Sequence, residues 1–131
     1  MISRREIRRI PDLYKSIERD REQLLFLSEK ATAVPSTIPD HERVQTSVSN
    51  NSMRYVDAAV DLGKEIQRKE AELHRLQSMA GEYIATIEGS LPKRIMKLRY
   101  LKCYNWDDIA EITGYAERHI HRIEAELVRK L

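Results

Sequence analysis

The 131 residues carry a net charge of +2, with 41% hydrophobic, 34% charged and only 6% aromatic side chains. A chain of this length makes one domain or two very small ones, and so charged a composition suits a helical protein with a thin core, which argues against a large catalytic cleft. Cys103 is the single cysteine, so no internal disulfide can form, no apolar run is long enough to cross a bilayer, and MISRREIRRIPD lacks the apolar stretch of a signal peptide, so a reducing cytoplasm is the expected setting.

Charge is unevenly distributed. Residues 1–10 hold four Arg and one Glu, residues 11–90 hold ten basic and fourteen acidic side chains, and residues 91–131 hold nine basic and six acidic. Basic ends around an acidic middle suggest an anionic partner, provided a motif accompanies them.

From Ser3 to about Ala31 the sequence predicts a helix, with Ile10, Leu13, Ile17, Leu24 and Leu27 recurring at steps of three and four and Asp20 interrupting the stripe. Pro11 is tolerated in a first turn, so the stable helix is expected to begin there and leave the Arg-rich decapeptide loose or as a separate turn. Residues 32–52, TAVPSTIPDHERVQTSVSNNS, read as a linker, with Asn50, Asn51 or Ser52 as the expected cap of the next helix. A second long helix is predicted from Met53 to about Ile87 on the stripe Met53, Val56, Val60, Ile66, Leu73, Leu76, Ala80, Ile84 and Ile87. Its length of roughly 50 Å exceeds what a compact three-helix domain needs, so the stripe must be covered by the first helix, by another copy of the chain, or by both. Glu70 and Gln77 intrude on it and make any coiled coil modest; the plain reading of this region is a spacer or oligomerisation element.

Gly89 suits a left-handed helix end, and Ser90 and Pro92 supply a cap and a first-turn proline for the next helix. Beyond it the chain parses as helices over about 91–101, 106–113 and 116–131. The spacing of Ala110, Gly114 and Ile120 is what two helices crossing steeply through a short turn require: a small residue where they meet, a glycine for the turn and an aliphatic plug for the corner. Ile109 and Ile123 fill the corner's other apolar positions. Asn105 is the expected cap of the first of the two helices, and the macrodipole accounts for Asp107, Asp108 and Glu111 near its start better than an acid/base pair or a metal would, since no nucleophile or third ligand accompanies them.

On the last helix Ala116, Ile120, Ile123 and Leu127 share the core side, which leaves Arg118, His121, Arg122, Ala125 and Arg129 outward and Glu117 at the N-terminal edge. A helix fits the DNA major groove, where guanidinium groups grip guanine O6 and N7. Arg118 and Arg122 are the candidates for base edges, His121 for a base or a phosphate, Glu117 for a cytosine amino group, and Arg129 for the outward basic face. The plain alternative is a solvated helix in which Arg122 and Glu126 form a surface pair. Leu91, Ile95, Leu98 and Leu101 form the buried side of the supporting helix and leave Lys93, Arg94, Lys97 and Arg99 exposed, with Lys93 a candidate phosphate contact; Trp106 is read as core or half-buried. His119 and His121 point to different sides, and His41 and His74 are distant, so neither a metal nor another cofactor is expected.

The segment LPKRIMKLRYLKCYNWDDIAEITGYAERHIHRIEAELVRKL resembles the region 4 helix-turn-helix of sigma-70-type sigma factors, in its Leu-Pro-x-Arg opening, its Leu-Arg-Tyr stretch and its closing Ile-Glu-Ala with Arg-Lys-Leu. The layout of the chain, two charged helices, a Ser/Pro-rich linker and this C-terminal third, is similar to the ArpU-like transcriptional regulators of phages and prophages. The resemblance implies a DNA-binding transcription regulator, a late-gene activator in a phage or prophage, with Glu117, Arg118 and Arg122 on promoter DNA and host RNA polymerase as a second partner. Ala116 departs from the pattern where a Ser or Thr cap is expected, a loss of about 1 kcal/mol at a helix end. Nothing resembles the sigma region that opens promoters, so a regulator is implied rather than a self-sufficient sigma factor.

The expected fold is therefore all-α: two long helices forming a helical hairpin or coiled coil over 1–88, with a flexible linker at 32–52, followed by a three-helix helix-turn-helix domain over 89–131. The expected function is sequence-specific binding of double-stranded DNA by a cytoplasmic homodimer with no enzymatic activity and no membrane partner. The alternative is a coiled-coil adaptor or phage DNA-packaging component whose C-terminal domain binds protein, or binds DNA without reading it.

Overall fold

The computed structural model describes residues 1–32 and 42–131, side chains at 42–51 excepted. The described elements are all helical: α1 (Arg4–Thr32), α2 (Glu42–Ala85), α3 (Ser90–Met96) running into a π-helical turn (Lys97–Leu101), α4 (Trp106–Thr113) and α5 (Glu117–Arg129). They belong to two compact units, Met1–Lys15 with Ala71–Leu131, and Ser16–Glu70. Position 88/89, expected to separate two domains, is a turn inside the first unit. Among the described residues no helix is long and apolar enough to cross a membrane.

In the first unit α1 starts on a reciprocal cap. The Glu6 N–H donates to Ser3 Oγ at 3.2 Å and the Ser3 N–H donates to Glu6 Oε1 at 3.1 Å, which holds the Glu6 carboxyl below its ordinary pKa. The decapeptide, expected to be loose or a separate turn, is thus part of α1 from Arg4 onward, and α1 runs through Pro11. A proline inside a helix costs about 3 kcal/mol, whereas burying an isoleucine side chain contributes about 1.5–3 kcal/mol. Ile2, Ile7 and Ile10 are at most 2% exposed, so burial outweighs the break. They pack with Leu76, Ala80 and Ile84 of α2, four residues apart on one face, and with Ile87, Met96, Tyr100, Leu127 and Val128. Ion pairs from Glu6 to Arg75 at 3.8 Å and from Arg9 to Glu72 at 3.4 Å show these parts of α1 and α2 running antiparallel.

Gly89 adopts φ 94 and ψ 134, a conformation that selects glycine, and a Cβ there would lie 3.2 Å from the Pro92 ring, a tight contact. Ser90, expected as the cap, is the first residue of α3 instead, and Gly89 takes the cap position. The π-helical turn leaves carbonyls that Gln77 satisfies: its Nε2 donates to the oxygens of Tyr100 at 3.1 Å and Leu101 at 3.2 Å. The polar break in the α2 stripe is therefore a cap for another element. Cys103, in the loop after the turn, is half-buried, which pushes its thiol pKa up.

In the second unit Ile17 and Ile66 are buried, and the Asp20 interruption is met by Lys69, whose Nζ donates to Ser16 Oγ and Asp20 Oδ2, both at 2.7 Å. Glu70 pairs with Arg21 at 2.6 Å. The upper part of the α2 stripe is not covered: Met53, Val56 and Val60 are 58%, 41% and 52% exposed. The linker expected over 32–52 is also shorter than its composition implied, because α2 extends back to Glu42 and Asn50, Asn51 and Ser52 lie inside it. Serine and asparagine cost a helix interior only about 0.7 kcal/mol each, which does not stop a helix already propagating. The rest of that linker, 33–41 with His41, lies outside the described residues.

Two tyrosines tie α5 to the core of the first unit. The Tyr83 hydroxyl donates to the Leu127 carbonyl oxygen at 2.6 Å, and the Tyr100 hydroxyl donates to Glu124 Oε1 at 2.6 Å. Burial, and then the bond to Glu124, push the Tyr100 pKa far up. Tyr100→Phe is expected to cost about 2 kcal/mol in urea unfolding, because the 4% exposed Glu124 loses its nearest donor. Tyr83→Phe is expected to cost about 1 kcal/mol or less, since half-buried Tyr83 lies where water can replace it. Equal losses would contradict this assignment.

Candidate functional site

The Asn105 side chain accepts from the Asp108 N–H at 2.9 Å and caps α4 in extended backbone geometry. α4 closes at Gly114, φ 76 and ψ 12, whose N–H donates to the Ala110 oxygen at 2.9 Å. A Cβ at Gly114 would touch nothing within 4 Å, so the left-handed backbone alone selects glycine. The chain then turns through Tyr115 and extended Ala116, whose oxygen accepts from the N–H groups of His119 and Ile120 as α5 starts. No side chain caps α5.

The five corner positions come together. Ile109 and Ile120 are fully buried beside Ile95, with Ala110 and Ile123 packed against them, and Gly114 makes the turn. Leu91, Leu98 and Trp106 complete the cluster, so Trp106 is half-buried. Ile123 also packs against the core that holds Leu127 and Val128, and thus joins the two clusters.

α5 buries more of its circumference than the sequence reading assumed. Beside Ile120 and Leu127, Val128 is fully buried and Glu124 is buried, held by Tyr100 and lying 3.9 Å from Arg8 Nη1. The adjacent Leu127–Val128 pair was the one sequence signal of this wider face; nothing local marked Glu124, because its partners come from α1 and the π-helical turn. What remains outward includes Arg118, Arg122 and Arg129, all exposed and, at 100° per residue, within roughly 40° of one another around the axis, with exposed Glu126 beside Arg122. Among the described residues no ion pair engages these three, and Arg122 and Glu126 do not approach within 4 Å. Ala125 is half-buried and His121 exposed beside the stripe.

His121 is not free of partners. Its ring lies 4.1 Å from that of Trp106, and the Arg99 guanidinium sits 4.4 Å over the same indole. Arg99, expected to be exposed, is half-buried and donates from Nη1 to the Tyr104 oxygen at 3.1 Å, while its Nε is buried with no acceptor among the described residues. Arg99 lies within the π-helical turn, with its guanidinium against Trp106 of α4. Lys93 is half-buried, and Arg94 and Lys97 are exposed on the same support.

Glu117 meets Asp107 across the corner. A hydrogen bond shared with Asp107 raises the Glu117 pKa, burial and the Asp107 charge add to the rise, and His121 opposes it. The macrodipole is therefore an incomplete account of Asp107, which also faces a second carboxylate. Among the described residues no three side chains form a metal-binding group.

Two substitutions probe the corner. Gly114→Ala is expected to cost about 1 kcal/mol in urea unfolding, from the left-handed backbone alone; a neutral result would contradict the turn. The raised Glu117 pKa means the folded chain keeps a proton that the unfolded chain has lost, so this site favours folding at pH below the ordinary carboxylate range and the benefit disappears as pH rises through the raised value. Glu117→Gln is accordingly expected to raise the thermal midpoint at about pH 7 and to match the parent at about pH 4; the reverse pH order would contradict the pair.

Comparison with family models, curated proteins and solved structures gives no match to the chain.

Proposed function

We propose that the chain is a sequence-specific DNA-binding transcription regulator of the ArpU-like kind, a phage or prophage late-gene activator, whose 106–129 segment is a helix-turn-helix. The supporting observation is the stripe of Arg118, Arg122 and Arg129 on the one exposed side of α5, behind the tight turn at Gly114. An α-helix of this width enters the major groove, and arginine reads guanine there through two parallel donors. Arg118 and Arg122 reach base edges from the start of α5, Arg129 lies toward its end, and His121, fixed against Trp106, sits at the flank. Glu117 can accept from a cytosine amino group when ionised. Arg94 and Lys97 offer a surface for phosphates or for host RNA polymerase, with Lys93 beside them. A homodimer would place two α5 helices on half-sites about 10 base pairs apart or a multiple of this.

One observation favours the adaptor reading. Met53, Val56 and Val60 on α2, and Leu25 and Phe26 on α1, expose apolar surface in the Ser16–Glu70 unit, as a protein-binding module would.

Fluorescence anisotropy with selected and scrambled duplexes separates the two. A regulator binds its selected duplex on the order of 10³-fold tighter than scrambled DNA, with affinity falling steeply in salt; an adaptor responds weakly to both. Arg122→Ala is expected to cost about 1–3 kcal/mol on the selected duplex and to relax preference at one base pair, and Lys93→Ala to weaken all duplexes alike. Identical behaviour of the two variants would contradict the reading face.

A further inference from the structure

The Arg-rich start of α1 is not a loose tail but a helix anchored by Ile2, Ile7 and Ile10 in the core that also holds Leu127 and Val128 of α5. Its two flanks differ. One flank is neutralised by α2, through Glu6 with Arg75 and Arg9 with Glu72. On the other, Arg4, Arg8 and Lys15 recur at steps of four and seven residues, which stacks them in a single exposed row. Arg8 locates that row: Nη1 lies 3.9 Å from Glu124 Oε1 on α5, while the Arg8 side chain stays 58% exposed. Among the described residues Arg4 and Lys15 have no ion-pair partner. Glu124 borders Ala125 and His121 on α5, and these lead round the helix to the Arg118 stripe.

We infer that Arg4, Arg8 and Lys15 form a second, sequence-independent DNA contact, gripping the phosphodiester backbone beside the groove that α5 enters. This rests on the DNA-binding reading of α5. Compact cations on a rigid helix flanking a reading helix set its register on the duplex, whereas base edges carry the sequence information. Glu124 fits the arrangement: buried and bonded to Tyr100, it holds Arg8 beside α5 without offering phosphates an exposed negative charge.

The test uses the full chain and a fluorescein-labelled random-sequence duplex of about 30 base pairs, with anisotropy measured across a salt series. Each phosphate contact contributes about 0.9 to the slope of log affinity against log salt, so the triple variant Arg4→Gln, Arg8→Gln, Lys15→Gln is expected to flatten the slope by about 2–3. Arg9→Gln, on the opposite flank, is expected to leave it unchanged. The ratio of selected to scrambled duplex affinity stays constant in the triple variant and falls in Arg122→Ala. Because Arg8 adjoins the buried Glu124, the double variant Arg4→Gln, Lys15→Gln provides the same reading without disturbing it, with an expected flattening of about 1–2. An unchanged slope in the double variant, or an equal change in Arg9→Gln, overturns the inference while leaving the α5 reading intact. A parent chain that binds no duplex overturns both.

Discussion

α5 is held on two sides, and that constraint sets which of its faces stays open. Ile120 locks it to α3 and α4, Leu127 and Val128 lock it to α1 and α2, and Ile123 touches both clusters. From Ile123 round to Val128 the buried arc covers roughly 140° of the helix, against about 100° for an ordinary amphipathic surface helix. An element fixed over so much of its circumference cannot roll to bury a different face. The side it leaves open is set by packing, and that side carries arginines.

Polar chemistry then makes the packing specific. Buried hydroxyl and carboxylate groups are tolerated only when paired, so Tyr100 and Glu124 can be buried together but neither can be buried alone. Tyr83 fixes the far end of α5 through the Leu127 oxygen, and Gln77 caps the π-helical turn that carries Tyr100. Each bond lies near the point where one helix meets the next. Rigidity of this kind reduces the entropy lost when long arginine side chains engage a ligand, because the backbone that carries them is already ordered.

Local signals were legible in the sequence. Gly114, Asn105 and Pro92 act through their own backbone or the next few residues, and the corner spacing of Ala110, Gly114 and Ile120 specifies a crossing that Ile109 and Ile123 support. Signals that depended on distant neighbours were not. Pro11 reads as a break until Ile2 and Ile7 are known to be buried, Asp20 and Gln77 read as flaws in a stripe until Lys69 and the π-helical turn appear beside them, and nothing near Glu124 in the sequence marks it as buried until Tyr100 meets it. Arg99 reads as a surface cation until Trp106 meets it across from the π-helical turn. Periodicity assigns a residue to a face of its own helix, but which faces find a neighbour is a property of the assembled chain.

The central claim is that the open side of α5 is the surface that meets DNA. Titrating the isotope-labelled chain with a random-sequence duplex, and following backbone amide and arginine side-chain resonances, tests it most directly. The expected result is a set of perturbations at Arg118, Arg122 and Arg129, joined by Arg4 and Arg8 of the backbone contact, with Leu76 and Ile84 in the core unmoved. Perturbations concentrated instead around Met53, Val56 and Val60, or a spectrum indifferent to DNA, would contradict it.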